Sequence, residues 1–190
     1  MRTATAFLLT AAAWAGPPAD EQVVGVQATR IDRIVAVVGD RIVTDGDLYV
    51  EATLAGRDIS PLEVVELRRQ QPEEWLVDLA VIRLLAGDIA VYRPSPAAVD
   101  QRVAAVHVGL ESPRAWAEFL QQIGLDEEGL ATLLSRRMVA ERYIQRNVIA
   151  RARSGEDAAA VEQLYLAWIT EQRATLSIRR VPAIDARGPP

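Results

Sequence analysis

Apolar residues along this chain change period twice, and the changes divide it into strand, helix and strand. Ile34-Val-Ala-Val-Val38 is a β-branched run, Gly39-Asp40 supplies a two-residue turn with glycine first, and Arg41-Ile-Val43 returns. Together they predict a hairpin. Thr44 and Asp47 have the spacing of a capping box, so a helix is expected directly after the second strand. Ser60-Pro61, Ser95-Pro96 and Ser112-Pro113 then repeat one helix-start pattern, serine as cap and proline in the first turn. Helical stripes follow: Trp75, Leu76, Leu79, Ile82, Leu85 and Ile89 over 72–91; Val99, Val103, Val106 and Leu110; and Trp116, Phe119, Leu120 and Ile123, closed by Gly124. A longer helix is expected over 126–150, with Leu130, Leu134, Met138, Tyr143, Ile144 and Val148. Another is expected over 158–173, with Val161, Leu164, Trp168 and Ile169.

The period returns to two at Thr175-Leu-Ser-Ile-Arg179, and Val181-Pro182 ends the run because proline has no N–H for a ladder. An isolated hairpin is marginal in water, so this late strand is expected to pair with the first hairpin. The fold class is therefore mainly α with a small antiparallel sheet that joins the two ends of one core domain, 31–181.

The flanks read differently. Arg2, the apolar stretch 4–13 and the small-x-small Ala13-Trp14-Ala15 predict a signal peptide over 1–15, with 16–30 as a linker and 182–190 as a disordered tail. The apolar stretch is well short of the roughly 20 residues of a spanning helix, so the mature chain is expected outside the cytoplasm and not to span a membrane.

Composition narrows the chemistry. There is no cysteine, no lysine and one histidine among 190 residues. Thiol nucleophiles, disulfides, Schiff-base lysines and the Gly-Lys-Ser/Thr phosphate loop are all excluded. His107 lies in Val103-Ala-Ala-Val-His-Val108 and reads as a partly covered residue on a helix face. No catalytic, cofactor-binding or metal-ligating residue is nominated, and the chain is read as a non-enzyme. The net charge is −5 and every cation is an arginine interspersed with acids, as in Asp32-Arg33, Arg136-Arg137 before Glu141-Arg142, and Glu171-Gln-Arg173. Such interspersion offers no basic patch for nucleic acid, and these arginines suggest no special chemistry. Trp116, Phe119 and Met138 are assigned to core packing, so peptide-contacting residues remain unknown at this level.

Ile31-Asp-Arg-Ile-Val-Ala-Val-Val-Gly-Asp-Arg-Ile-Val-Thr-Asp-Gly-Asp-Leu48 resembles the opening of SurA-type periplasmic chaperones. Ala167-Trp-Ile-Thr-Glu-Gln-Arg-Ala-Thr-Leu-Ser-Ile178 is similar to the family's closing segment, where a helix hands over to the strand returning to the first hairpin. With the multi-helix middle, the resemblance covers about 31–181. It implies a periplasmic chaperone core that shields unfolded outer-membrane or secreted polypeptides. Relatives carry parvulin prolyl isomerase domains before the last helix, whereas this chain has only the short loop 151–157 there, so isomerase activity is not expected. The competing expectation is a non-catalytic module serving one envelope partner. Oligomeric state and client identity do not follow from the sequence.

Overall fold

A computed structural model describes residues 32–110, 112–152 and 157–182. The expected signal peptide 1–15, the expected linker 16–30 and, apart from Pro182, the expected tail 182–190 lie outside the described residues. The architecture is mainly helical with a small three-stranded antiparallel sheet. Strands β1 (Ile34–Val38) and β2 (Arg41–Thr44) form the hairpin, helices α1 (Asp45–Leu54), α2 (Glu63–Arg69), α3 (Pro72–Ala86), α4 (Pro96–His107), α5 (Pro113–Ile123), α6 (Glu127–Asn147) and α7 (Ala158–Ala174) follow, and β3 (Ile178–Arg180) closes the chain. The strand order is β2-β1-β3, so the late strand does pair with the first hairpin, in the register Ala36↔Arg180, Val37↔Arg179 and Val38↔Ile178. Its last ladder bond runs from Val181 N–H to the Val35 carbonyl at 2.8 Å. Pro182 has no N–H to continue.

The entry to α1 is fastened from two sides. Thr44 and Asp47 form the capping box, the Thr44 N–H donating to Asp47 Oδ2 at 2.9 Å and the Asp47 N–H to Thr44 Oγ1 at 3.3 Å. Asp32 Oδ1 accepts the Gly46 N–H at 2.7 Å, and Arg33 binds the Asp45 carboxylate through two nitrogens, each at 2.9 Å. A Cβ on Gly46 would stand 2.8 Å from Asp32 Oδ2, so the close approach of that carboxylate requires glycine here.

Ser95 and Ser112 cap α4 and α5 as expected, and Gly124, in the left-handed region, ends α5. Two expectations need correction. Ser60 does not cap a helix: its Oγ accepts the Leu62 N–H at 3.2 Å, and α2 starts three residues after Ser60. The helix expected over 72–91 stops at Ala86, because Gly87 takes φ +51°, leaving Ile89 and Val91 more than half or nearly half exposed around a short 3-10 turn. The stripe continues past the helix that carries it, and glycine chemistry decides the end.

The apolar interior has two lobes. One gathers the sheet, α2, α3, the later part of α6 and α7 around Trp75, Val81, Ile82, Ile144, Tyr165 and Ile169. The other gathers Leu54 of α1, Val106 of α4, the buried face of α5, and Leu130 and Leu134 of α6. Helix α6 therefore serves both lobes, and the residues where it passes between them decide how the lobes are joined. Among the described residues no helix is long and apolar enough to cross a membrane.

Candidate functional site

Between the two lobes α6 carries Arg137 and Glu141, charged residues one turn apart on a face that is otherwise Leu130, Leu134, Ile144 and Val148. Placing charge there costs several kcal/mol per ion unless each is paired and hydrogen-bonded. The pairing is extensive. Arg137 Nη2 donates to Glu51 Oε2 and Nη1 to Asp58 Oδ2, each at 2.5 Å. Arg69 Nε takes the other Glu51 oxygen at 2.6 Å, and Arg102 Nε takes the other Asp58 oxygen. Arg102 Nη2 continues to Glu141 Oε1 at 3.1 Å. Four helices and the loop after α1 are thereby tied at one buried junction. The arginines, which suggest no special chemistry in the sequence, hold the junction together, since the planar guanidinium fork presents fixed donors to two carboxylates at once.

A second cluster ties the chain end to α3. Asp78 accepts from Arg68 Nε at 2.6 Å, Arg173 Nε at 2.7 Å and the Tyr165 hydroxyl at 3.0 Å. Arg173 Nη1 also reaches Glu74 Oε2 at 2.6 Å, and Arg180 of β3 pairs with Glu73 at 2.8 Å and with Glu74 at 2.5 Å. Arg68 and Arg69, about 100° apart on α2, are thus sent to different clusters. Burial first, then the adjacent Asp78 charge and bond, push the Tyr165 hydroxyl well above its usual range.

Over the first cluster lies an open groove. Arg102 and Glu141 belong to its floor, and Pro61, Leu62, Met138, Arg142 and Gln145 line it in a cleft of about 370 Å³. A second cleft of about 310 Å³ shares Pro61, Leu62 and Gln145 with the first and is lined also by Glu63, Val64, Ile149, Ala158 and Val161. Ile59, 65% exposed, stands two residues before Pro61 in the segment that leads into this wall. The correction to Ser60-Pro61 explains the wall: the extended lead-in to α2, held by the Ser60 N–H on Glu66 Oε1 at 2.7 Å, presents Pro61 and Leu62 as a ridge. Met138 is half-buried and lines this cleft, against the expectation that it packs in the core.

Trp116 and Phe119 are buried as expected, the indole N–H of Trp116 donating to Glu127 Oε1 at 2.7 Å. His107 is half-buried at the end of α4, its ring centroid 4.6 Å from that of Trp116, which agrees with a covered helix-face residue.

The clusters give the fold a definite acid response. Burial would raise the Asp58 carboxyl, but the charge of Arg137 and the bond from Arg102 overcome it and hold the group below its usual value. Glu74 is lowered likewise, burial being outweighed by the bonds from Arg173 and Arg180. Glu141 goes the other way, raised chiefly by burial. For Asp58 and Glu74 the folded value lies below the unfolded one, so their stabilisation is fully present above the ordinary carboxyl range, about pH 4–5, and is lost as pH falls through the depressed values. For Glu141 the folded value is the higher, so acidification through it favours the folded chain. The urea midpoint is expected to hold level or rise from pH 7 to 5 and to fall below about pH 4. A steady decline between pH 7 and 5 would contradict this assignment.

No protein-family model matches this chain, and no curated protein matches it.

Proposed function

We propose that this chain is a non-catalytic, chaperone-like protein of the periplasm that binds unfolded or extended polypeptide segments, with outer-membrane proteins as clients. The observation that carries the reading is the open groove beside Pro61, Leu62 and Met138, whose apolar walls stand on a floor fixed by the buried Arg102–Asp58 and Arg102–Glu141 contacts. A rigid frame with an uncovered apolar trough suits reversible burial of client side chains, and methionine adapts its shape to varied partners. The SurA-like openings and endings of the sequence support the same reading.

A second surface fits an extended client. In the β1–β3 ladder, Gly39 N–H donates to Ser177 O and Val181 N–H to Val35 O, so the odd-numbered residues of β1 face β3. By the alternation of an antiparallel ladder, Ala36 and Val38 bond to Val43 and Arg41 of β2. The main-chain groups of Ile42 then point away from β1, at the free edge where a client strand can add. Ile42 is 56% exposed.

Ordering a flexible client costs several kcal/mol, which places affinities at about the micromolar range. The test is aggregation of an unfolded outer-membrane porin diluted from urea. Purified chain at several-fold excess is expected to suppress light scattering, and Met138→Glu is expected to weaken the suppression. Full aggregation in the presence of wild-type chain would overturn the reading, and recovery of one stoichiometric envelope partner without binding to generic unfolded peptides would replace it with a dedicated module.

A further inference from the structure

Arginines in the two clusters are matched with carboxylates, which makes one group of three conspicuous. Arg41 of β2, Arg83 of α3 and Arg136 of α6 line a single cavity of about 280 Å³. Among the described residues the side chain of none of the three makes an ion pair or a hydrogen bond, and the buried Arg41 Nε has no partner. Burial first, and then the charges of Arg41 and Arg136, push Arg83 down to about 10, so the guanidiniums sense one another across the cavity. Two acids share the lining, Asp40 and Asp47. Asp47 is committed to the capping box through Oδ2, and neither lies within ion-pairing distance of the three arginines. Mutual repulsion of two partly buried cations and the exposed Arg136 beside them is unfavourable in the free chain and is relieved by an anion placed among them.

We infer that the cavity where Arg41, Arg83 and Arg136 converge receives a carboxylate of an extended polypeptide segment laid along the free edge of β2. This rests on the peptide-binding reading above and adds the chemistry of the segment to it. The surroundings favour a peptide over a lipid surface or a nucleic acid. Leu76, Leu79 and Leu133 give the cavity apolar walls, and the outward main-chain groups of Ile42 lie beside it. The chain as a whole carries a charge of −5, which repels an extended polyanion and leaves a confined cationic recess for a single carboxylate.

The experiment uses the full chain and a fluorescein-labelled peptide of alternating valine and tyrosine carrying two glutamates, its glutamine twin, and both peptides as free acids and as C-terminal amides. Anisotropy is expected to show the glutamate peptide binding about tenfold tighter than its twin at low salt. The ratio is expected to fall toward one in Arg83→Gln and in Arg136→Gln. Arg136 is exposed and makes no ion pair, so that variant keeps the test alive should Arg83→Gln fold poorly. A preference that follows the free acid over the amide instead assigns the carboxylate to a chain terminus. Equal binding of all peptides would overturn the anion pocket while leaving peptide binding intact, and binding of none would overturn both. Arginine-dependent binding of phosphatidylglycerol vesicles without a peptide preference would overturn it in favour of a membrane surface.

Discussion

Arg137→Ala is expected to lower the unfolding free energy by about 3–5 kcal/mol, the usual cost of deleting one partner of a buried ion pair. Arg137 is 3% exposed and, among the described residues, is the only side chain that joins the Glu51 and Asp58 carboxylates, both of which are also buried; Arg69 links the same two residues only through the Asp58 backbone carbonyl. Its loss leaves one oxygen of each carboxylate facing a cavity, and the remaining partners, Arg69 and Arg102, already occupy the other oxygens. Lysine should rescue little, since a single ammonium cannot reproduce a fork that meets two carboxylates. Urea unfolding with an unchanged slope is the measurement. Arg114→Ala is the control: it removes an exposed pair with Glu118 on one helix and should shift stability by no more than about 0.5 kcal/mol. An Arg137→Ala effect as small as that of the control would mean that the junction does not hold the two lobes together. Domain stabilities are commonly about 5–15 kcal/mol, so the expected loss would put much of the chain near its unfolding limit.

That junction also shows where sequence reading stops. The hairpin, the Thr44 capping box, the serine caps of α4 and α5 and the pairing of the last strand with the first were legible, because each depends on neighbouring residues or on a short period. The ion clusters were not, because Arg137 finds its partners 79 and 86 residues earlier in the chain and an arginine beside an acid reads equally well as a solvated pair. One signal was nevertheless present. Leu130, Leu134, Arg137, Glu141, Ile144 and Val148 follow a single helical stripe, so two of its members are charges at core positions. Asp78 interrupts Trp75-Leu-Val-Asp-Leu-Ala-Val-Ile82 in the same way. A charge inside an apolar stripe demands a buried counterion, and that demand can be read before the partner is known. The groove was less accessible, since it depends on Ser60-Pro61 bending the lead-in to α2 and not on starting the helix.

Asp78→Ala should have an effect of similar size, about 3–5 kcal/mol, though nearer the lower end because Arg68 and Arg173 keep some contact with water. Asp78 is fully buried and is the point at which α2, α3 and α7 meet, so its removal leaves the Tyr165 hydroxyl without its acceptor and leaves Arg68 and Arg173 with Glu74 as their remaining carboxylate. Tyr165→Phe removes only the neutral bond and should cost about 1 kcal/mol. The distinguishing measurement is the double change Asp78→Ala with Arg173→Ala. If the two residues form one unit, the pair should cost clearly less than the sum of the singles, because the second deletion removes a cation that has already lost its buried carboxylate. Additive losses would instead mean that Arg173 acts mainly through Glu74. Arg173 is followed within a few residues by β3, the strand that Arg180 also fastens to Glu73 and Glu74. Hydrogen exchange at the Val181 amide, bonded to Val35, should therefore quicken in Asp78→Ala ahead of exchange in α5, because the closing helix and strand would come loose from α3 while the second apolar lobe, packed on α5, keeps its own contacts.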